Sequence, residues 1–95
     1  MKKLSDSEIN EKLQDLEGWD YNNGAIETTF EFHNFKEAFS TMTRIAFECE
    51  AQNHHPDWQN VYNTLSIRLN THDADGVTEK DFKLAKSIEE IIESE

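Results

Sequence analysis

The sequence predicts an α+β domain: an antiparallel β-sheet of about four strands with three helices packed on one face. Three observations predict it. Long segments carry apolar residues at helical spacing behind recognisable caps. The stretches between them alternate apolar with polar residues. The dipeptide Asn23-Gly24 is a strong hairpin signal, and a hairpin makes neighbouring strands antiparallel. The element order is α-β-β-α-β(-β)-α, and residues 1–95 form one domain, because Gly, Pro and Ser nowhere cluster into a linker.

Ser5 and Glu8 make a capping box that opens a helix over Asp6–Leu16, with Ile9, Leu13 and Leu16 on one face and Gly18 at its end. Trp19-Asp20-Tyr21 is a short strand, and Ile26, Phe30 and Phe32 alternate beyond the Asn23-Gly24 turn. Asn34 and Glu37 cap a second helix that runs to about Ala51. Phe35, Ala38, Phe39, Met42, Ile45, Ala46 and Cys49 keep i, i+3, i+4 spacing and predict a one-sided core face. Phe47 falls outside that arc and is a candidate subunit contact. After Pro56, residues Val61 to Leu69 alternate as one bent strand or two short ones, with Val61, Leu65, Ile67 and Leu69 on the apolar side. Thr71–Gly76 is a polar loop. Thr78 caps a last helix over Glu79–Glu93, whose apolar arc is wider than one sheet face demands.

Composition removes several function classes. Nine Lys and Arg oppose twenty Asp and Glu, and a net charge of -11 repels a phosphate backbone, so direct nucleic-acid binding is not expected. No apolar run approaches the ~20 residues of a membrane span. The start, Met1-Lys2-Lys3-Leu4, lacks the apolar core of a secretory signal. Cys49 is the one cysteine, so no disulfide can form within the chain, and a buried inert thiol is expected. A cytoplasmic protein fits these features.

Three of the four histidines fall in one window with aromatics and carboxylates: Glu50, His54-His55-Pro56, Trp58, Tyr62, His72 and Asp81. Histidine gives or takes a proton near neutrality, so the window suggests acid/base chemistry on a small molecule. Pro56 makes His55 extended, and consecutive side chains on extended backbone point apart. One of His54 and His55 therefore faces the site and the other flanks it. Asp81 stands at the third position of its helix, where it can reach back to the Thr78 cap; it can also sit beside His72 and hold its tautomer. Glu50, at a helix C-terminal end, gains nothing from the helix dipole, which suggests a site role. Trp58 and Tyr62 offer flat faces for a planar heterocycle, or ordinary core packing. A metal site is not expected, because the adjacent histidines diverge and no H-x-H or H-x-x-x-H spacing aims two rings together.

The spacing Glu50-x3-His54-His55-Pro56-x-Trp58-x3-Tyr62-x9-His72-x8-Asp81 closely resembles that of the pterin-4a-carbinolamine dehydratases. Phe39-x2-Met42-Thr43-Arg44, Asn60-Val61-Tyr62-Asn63, Ser66-Ile67-x-Leu69-x-Thr71-His72 and Trp19 extend the resemblance over residues 5–92. The resemblance implies dehydration of a 4a-hydroxytetrahydropterin to a quinonoid dihydropterin, with no metal or organic cofactor. It implies His54 and His72 as acid/base groups, His55 placing the ring, Asp81 supporting the histidines, and Glu50, Pro56 and Trp58 lining the pocket. It also implies a homodimer or homotetramer built partly through the central helix. An alternative is a protein-binding module with a residual pocket, since some animal members of that family bind the dimerisation segment of a homeodomain transcription factor.

Overall fold

The computed structural model describes residues 2–94. Its elements are α1 (Asp6–Leu13), β1 (Asp20–Asn22), β2 (Ala25–Glu31), α2 (Phe35–Gln52), β3 (Asp57–Val61), β4 (Thr64–Leu69), a 3-10 turn (His72–Ala74) and α3 (Glu79–Glu93). The four strands form an antiparallel sheet in the order β1-β2-β4-β3, which bears out the α+β expectation.

The helix starts follow the caps. Ser5 and Glu8 close a reciprocal capping box on α1, and Asn34 accepts from Glu37 N–H at the start of α2. α1 is shorter than expected. At Gln14, Asp15 and Leu16 the backbone N–H groups bond three residues back, and this tightened ending stops the α-helix at Leu13. Gly18, with φ +89°, lies in the turn that follows rather than at the helix end. Trp19 also precedes its expected strand; it is buried, with Nε1–H donating to Glu89 at 2.9 Å. In the first hairpin both turn residues have positive φ, Asn23 at 50° and Gly24 at 78°, as a tight right-twisting turn requires.

The stretch 57–69 forms two short strands, β3 and β4, and this changes which side chains are inside. Tyr62 and Asn63 form a two-residue turn, with Tyr62 at φ 50°. The side chain of Asn60 donates to the Tyr62 and Thr64 carbonyls, and that of Asn63 donates to the Phe32 carbonyl. These bonds hold a turn that has no glycine. Reversal at Tyr62 puts Val61 opposite Thr64 on the far face, where it is 61% exposed. Leu65, Ile67 and Leu69 stay inside.

One core forms between the sheet and the helices, from Ile9, Ile26, Ile45, Leu65, Ile67, Leu69, Leu84 and Ile88. The other sheet face carries Glu27, Thr29, Asp57, Gln59, Ser66 and Arg68. α3 packs against α2, while Lys12 of α1 pairs with Glu79 and lies over the Phe82 ring. Contact with two helices as well as the sheet accounts for the wide apolar arc of α3. The buried side of α2 is narrower than its apolar spacing predicts. Ala38, Thr41, Ile45 and Cys49 are buried, but Phe35 and Phe39 are 48% and 51% exposed and stack on each other at 5.4 Å. Ala46 and Phe47 are also exposed. The helix is thus apolar on more of its circumference than its own sheet covers.

Cys49 is 1% exposed, and burial pushes its thiol up to about 11. The native protein is expected to resist a disulfide reagent such as Ellman's reagent at pH 8, and denatured protein to react at once. Rapid titration of one thiol in the native state would contradict this packing.

Candidate active site

The end of α2 sends its two adjacent histidines in different directions. Asn53 caps the helix in the left-handed region at φ 52°, which Asn tolerates better than most residues, three positions before Pro56. His54 N–H then bonds to the Cys49 carbonyl, and the residue is 8% exposed. Its Nε2 lies 2.5 Å from Asp81 Oδ1. His55 Nε2 instead meets Glu50 Oε2 at 2.9 Å near the surface. The rings diverge, as alternation on extended chain requires. Among the described residues no three His, Cys, Asp or Glu side chains are grouped to hold a metal ion.

Asp81 is fully buried at the first turn of α3 and serves two structures at once. Its Oδ2 accepts from Thr78 N–H at 2.8 Å, completing the helix cap, and from Thr71 Oγ1 at 2.9 Å. Thr71 Oγ1 also lies 2.7 Å from Thr78 Oγ1, which itself accepts from Lys80 N–H. Each hydroxyl has one proton to give. Thr71 gives its proton to the carboxylate, so Thr78 must donate to Thr71. A carboxylate can only accept, so the network assigns a proton to His54 Nε2; in the neutral form of the ring, Nδ1 is then the nitrogen with the lone pair. Asp81 is the cap residue the sequence suggests, and of the histidines it meets His54 rather than His72, because the cap and Thr71 hold the carboxylate inside, while His72 is exposed on the 3-10 turn.

That turn brings His72 round to the same opening. Thr71 and Gly76 pair across it, and Asp75, at φ 55°, closes it with its N–H on the His72 carbonyl. The result is a cleft of about 420 Å³ lined by Asn53, His54, His55, Pro56, His72 and Lys80, among others. Glu50 reaches the cleft through His55. Trp58 stands outside its lining, half-buried on the core side of β3 opposite Ile67. Tyr62 is 63% exposed at the hairpin tip. A larger depression of about 510 Å³ on the open sheet face holds Glu27, Asp57 and Arg68 but no histidine, so the chemistry points to the smaller cleft.

Sequence reading did not single out Thr71, Thr78 or Lys80 for the site. Thr78 was legible as a cap. Thr71 stood in a strand-end motif of the resemblance, but its bond to Asp81, ten residues on and across a turn, could not be read from spacing.

Fold and cleft together define a class: a small α+β protein with histidines, one of them bonded to a buried carboxylate, gathered at a cleft of small-molecule size. The family model for pterin 4 alpha carbinolamine dehydratase matches residues 2–91. A protein of Christiangramia forsetii, provisionally named a pterin-4-alpha-carbinolamine dehydratase, is 65% identical over 94 residues, covering 99% of this chain and 97% of its own length. One of Opitutus terrae with the same provisional name is 49% identical, covering 93% and 92%. The crystal structure of a transcriptional coactivator/pterin dehydratase from Brucella melitensis superposes with a TM-score of 0.92 at 40% identity, covering 95% of this chain and 98% of that one. This chain belongs to the pterin 4 alpha carbinolamine dehydratase family.

Proposed function

We propose that this chain dehydrates a 4a-hydroxytetrahydropterin, with His54 and His72 carrying the proton transfers. The observation that supports the assignment is the buried His54–Asp81 pair at the wall of a cleft shared with His55, Pro56 and His72. In the reaction the C4a–O bond breaks, and the oxygen takes a proton and leaves as water. The N5 lone pair forms the C4a=N5 bond of the quinonoid dihydropterin as N5–H is lost to a base. One proton is given and one is taken. His54, with Nε2–H committed to Asp81, offers Nδ1 as the base; exposed His72 supplies the proton to the leaving oxygen. His55, held by Glu50, places the ring with Pro56. Trp58 anchors the strand that continues from that segment. No metal or organic cofactor enters the step.

Stopped-flow dehydration of freshly generated 4a-hydroxytetrahydropterin tests this. Wild type should accelerate the reaction, and His72→Ala should lose about 10²–10⁴-fold of that acceleration with an unchanged far-UV CD spectrum. No acceleration over buffer would refute the catalytic reading.

The same proposal extends to assembly and place. No described helix is long and apolar enough to cross a membrane, and a cytoplasmic location suits the chain. The exposed Phe35, Phe39 and Phe47 of α2 form an apolar stripe suited to a second copy, giving a homodimer or homotetramer. Phe39→Glu/Phe47→Glu is expected to sediment as a monomer where wild type sediments as a larger species. A wild type that is already monomeric would favour a different protein partner on that stripe.

A further inference from the structure

Beside the histidine cleft lies a groove that dehydration itself does not use. It is lined by Gln52, His54, Glu79, Lys80 and Lys83, with a volume of about 250 Å³. His54 and Lys80 line both cavities, so the groove adjoins the site. Lys83 and Lys86 continue along α3 beside Lys12. We propose that this groove receives an anionic side chain on the pterin, so that the preferred substrate bears a phosphate ester or similar anion beyond C6 of the ring. The inference rests on the pterin reading above.

Charge makes the groove unusual in this molecule. The chain has nine Lys and Arg against twenty Asp and Glu, yet Lys80, Lys83 and Lys86 are gathered on one helix. Among the described residues none of the three makes an ion pair. Glu79, the acid within the groove, is turned to Lys12 at 2.9 Å. Two further carboxylates are engaged by groove residues, Glu48 by the Gln52 amide and Asp81 by His54, and Asp73 belongs to the His72 turn. Lys80 also stands in the first turn of α3, where the helix dipole disfavours a cation. The N-terminal N–H groups are taken by the Thr78–Asp81 box, so an anion there would meet the Lys80 ammonium group and offset its mismatch with the dipole.

The positive stretch is short. Lys80 to Lys86 spans about 9 Å of helix at ~1.5 Å per residue. Past Lys86 the surface turns acidic at Glu89, Glu90 and Glu93. The groove therefore suits a side chain ending in one anionic group rather than a long polyanion.

Fluorescence titration of two unreactive oxidised pterins, 6-hydroxymethylpterin and its phosphate ester, tests the idea on the full chain. The ester is expected to bind about tenfold more tightly at low ionic strength, with the difference shrinking at high salt. In Lys80→Gln/Lys83→Gln the two pterins should bind alike. Equal affinities in wild type would overturn the proposal while leaving the dehydratase reading to stopped-flow kinetics. Preferential binding of the ester that survives the double substitution would also overturn it. Failure of both pterins to bind would remove the pterin reading together with the groove's ligand.

Discussion

His54→Ala is expected to lose about 10²–10⁴-fold in dehydration rate, the range typical of a positioned general acid or base. The substitution also strands Asp81, whose Oδ1 has His54 Nε2 as its partner inside the protein. Removing one member of a buried pair costs about 3–5 kcal/mol, so the alanine variant mixes lost chemistry with lost fold. His54→Gln separates the two effects. A glutamine amide can place a donor close to the imidazole Nε2 position and keep Asp81 satisfied, but it cannot accept a proton. The glutamine variant should retain most of the stability and still lack the rate. Near-wild-type kcat in His54→Gln would show that His54 is structural and move the base to His55 or His72.

Asp81→Ala is expected to be the most destabilising substitution in the site. It removes the acceptor for His54, for the Thr71 hydroxyl and for Thr78 N–H together, and dissolves the cap of α3. A loss of about 3–5 kcal/mol is a large share of the roughly 5–15 kcal/mol that holds a small domain folded. At about 4–8 °C per kcal/mol in a chain of this size, thermal unfolding should fall by more than ~10 °C. Asp81→Asn distinguishes the carboxylate's two tasks. With its carbonyl oxygen kept on Thr71 and Thr78, the amide must turn its NH2 toward His54. The imidazole proton then has to move to Nδ1, which removes the base without removing the fold. The asparagine variant should therefore melt within a few degrees of wild type and lose most of its kcat. Full activity in Asp81→Asn would refute the tautomer assigned to His54.

Much of the fold was legible because local chemistry dictates it. The Ser5–Glu8 and Thr78–Asp81 boxes mark helix starts whatever the rest of the chain does, and Asn23-Gly24 supplies the positive φ values of a tight hairpin. The turn at Tyr62-Asn63 was not legible. It has no glycine, and side-chain amides at Asn60 and Asn63 stabilise it by bonds that depend on the strands already being paired. Period-2 alternation runs straight through such a turn, so spacing groups Val61 with Leu65 although the reversal puts Val61 outside. The apolar stripe of α2 misled for a different reason. Helical spacing reports which residues share a side, not whether the domain's own sheet is wide enough to cover them.

The histidines, their carboxylates and the divergence of His54 from His55 could be read from residue types, spacing and the geometry that Pro56 imposes. Which partner each one takes could not. Asp81 was placed at a helix cap within reach of His72, yet its free oxygen meets His54, 27 residues earlier in the chain. A cap is a local bond between residues three apart, so sequence spacing specifies it. A histidine–carboxylate pair across two helices depends on how α2 and α3 pack, and so do the cleft shared with His72 and the lysine groove beside it. Those positions follow from burial of Ile45, Cys49, Leu84 and Ile88 in a common core, a collective outcome that no short spacing encodes.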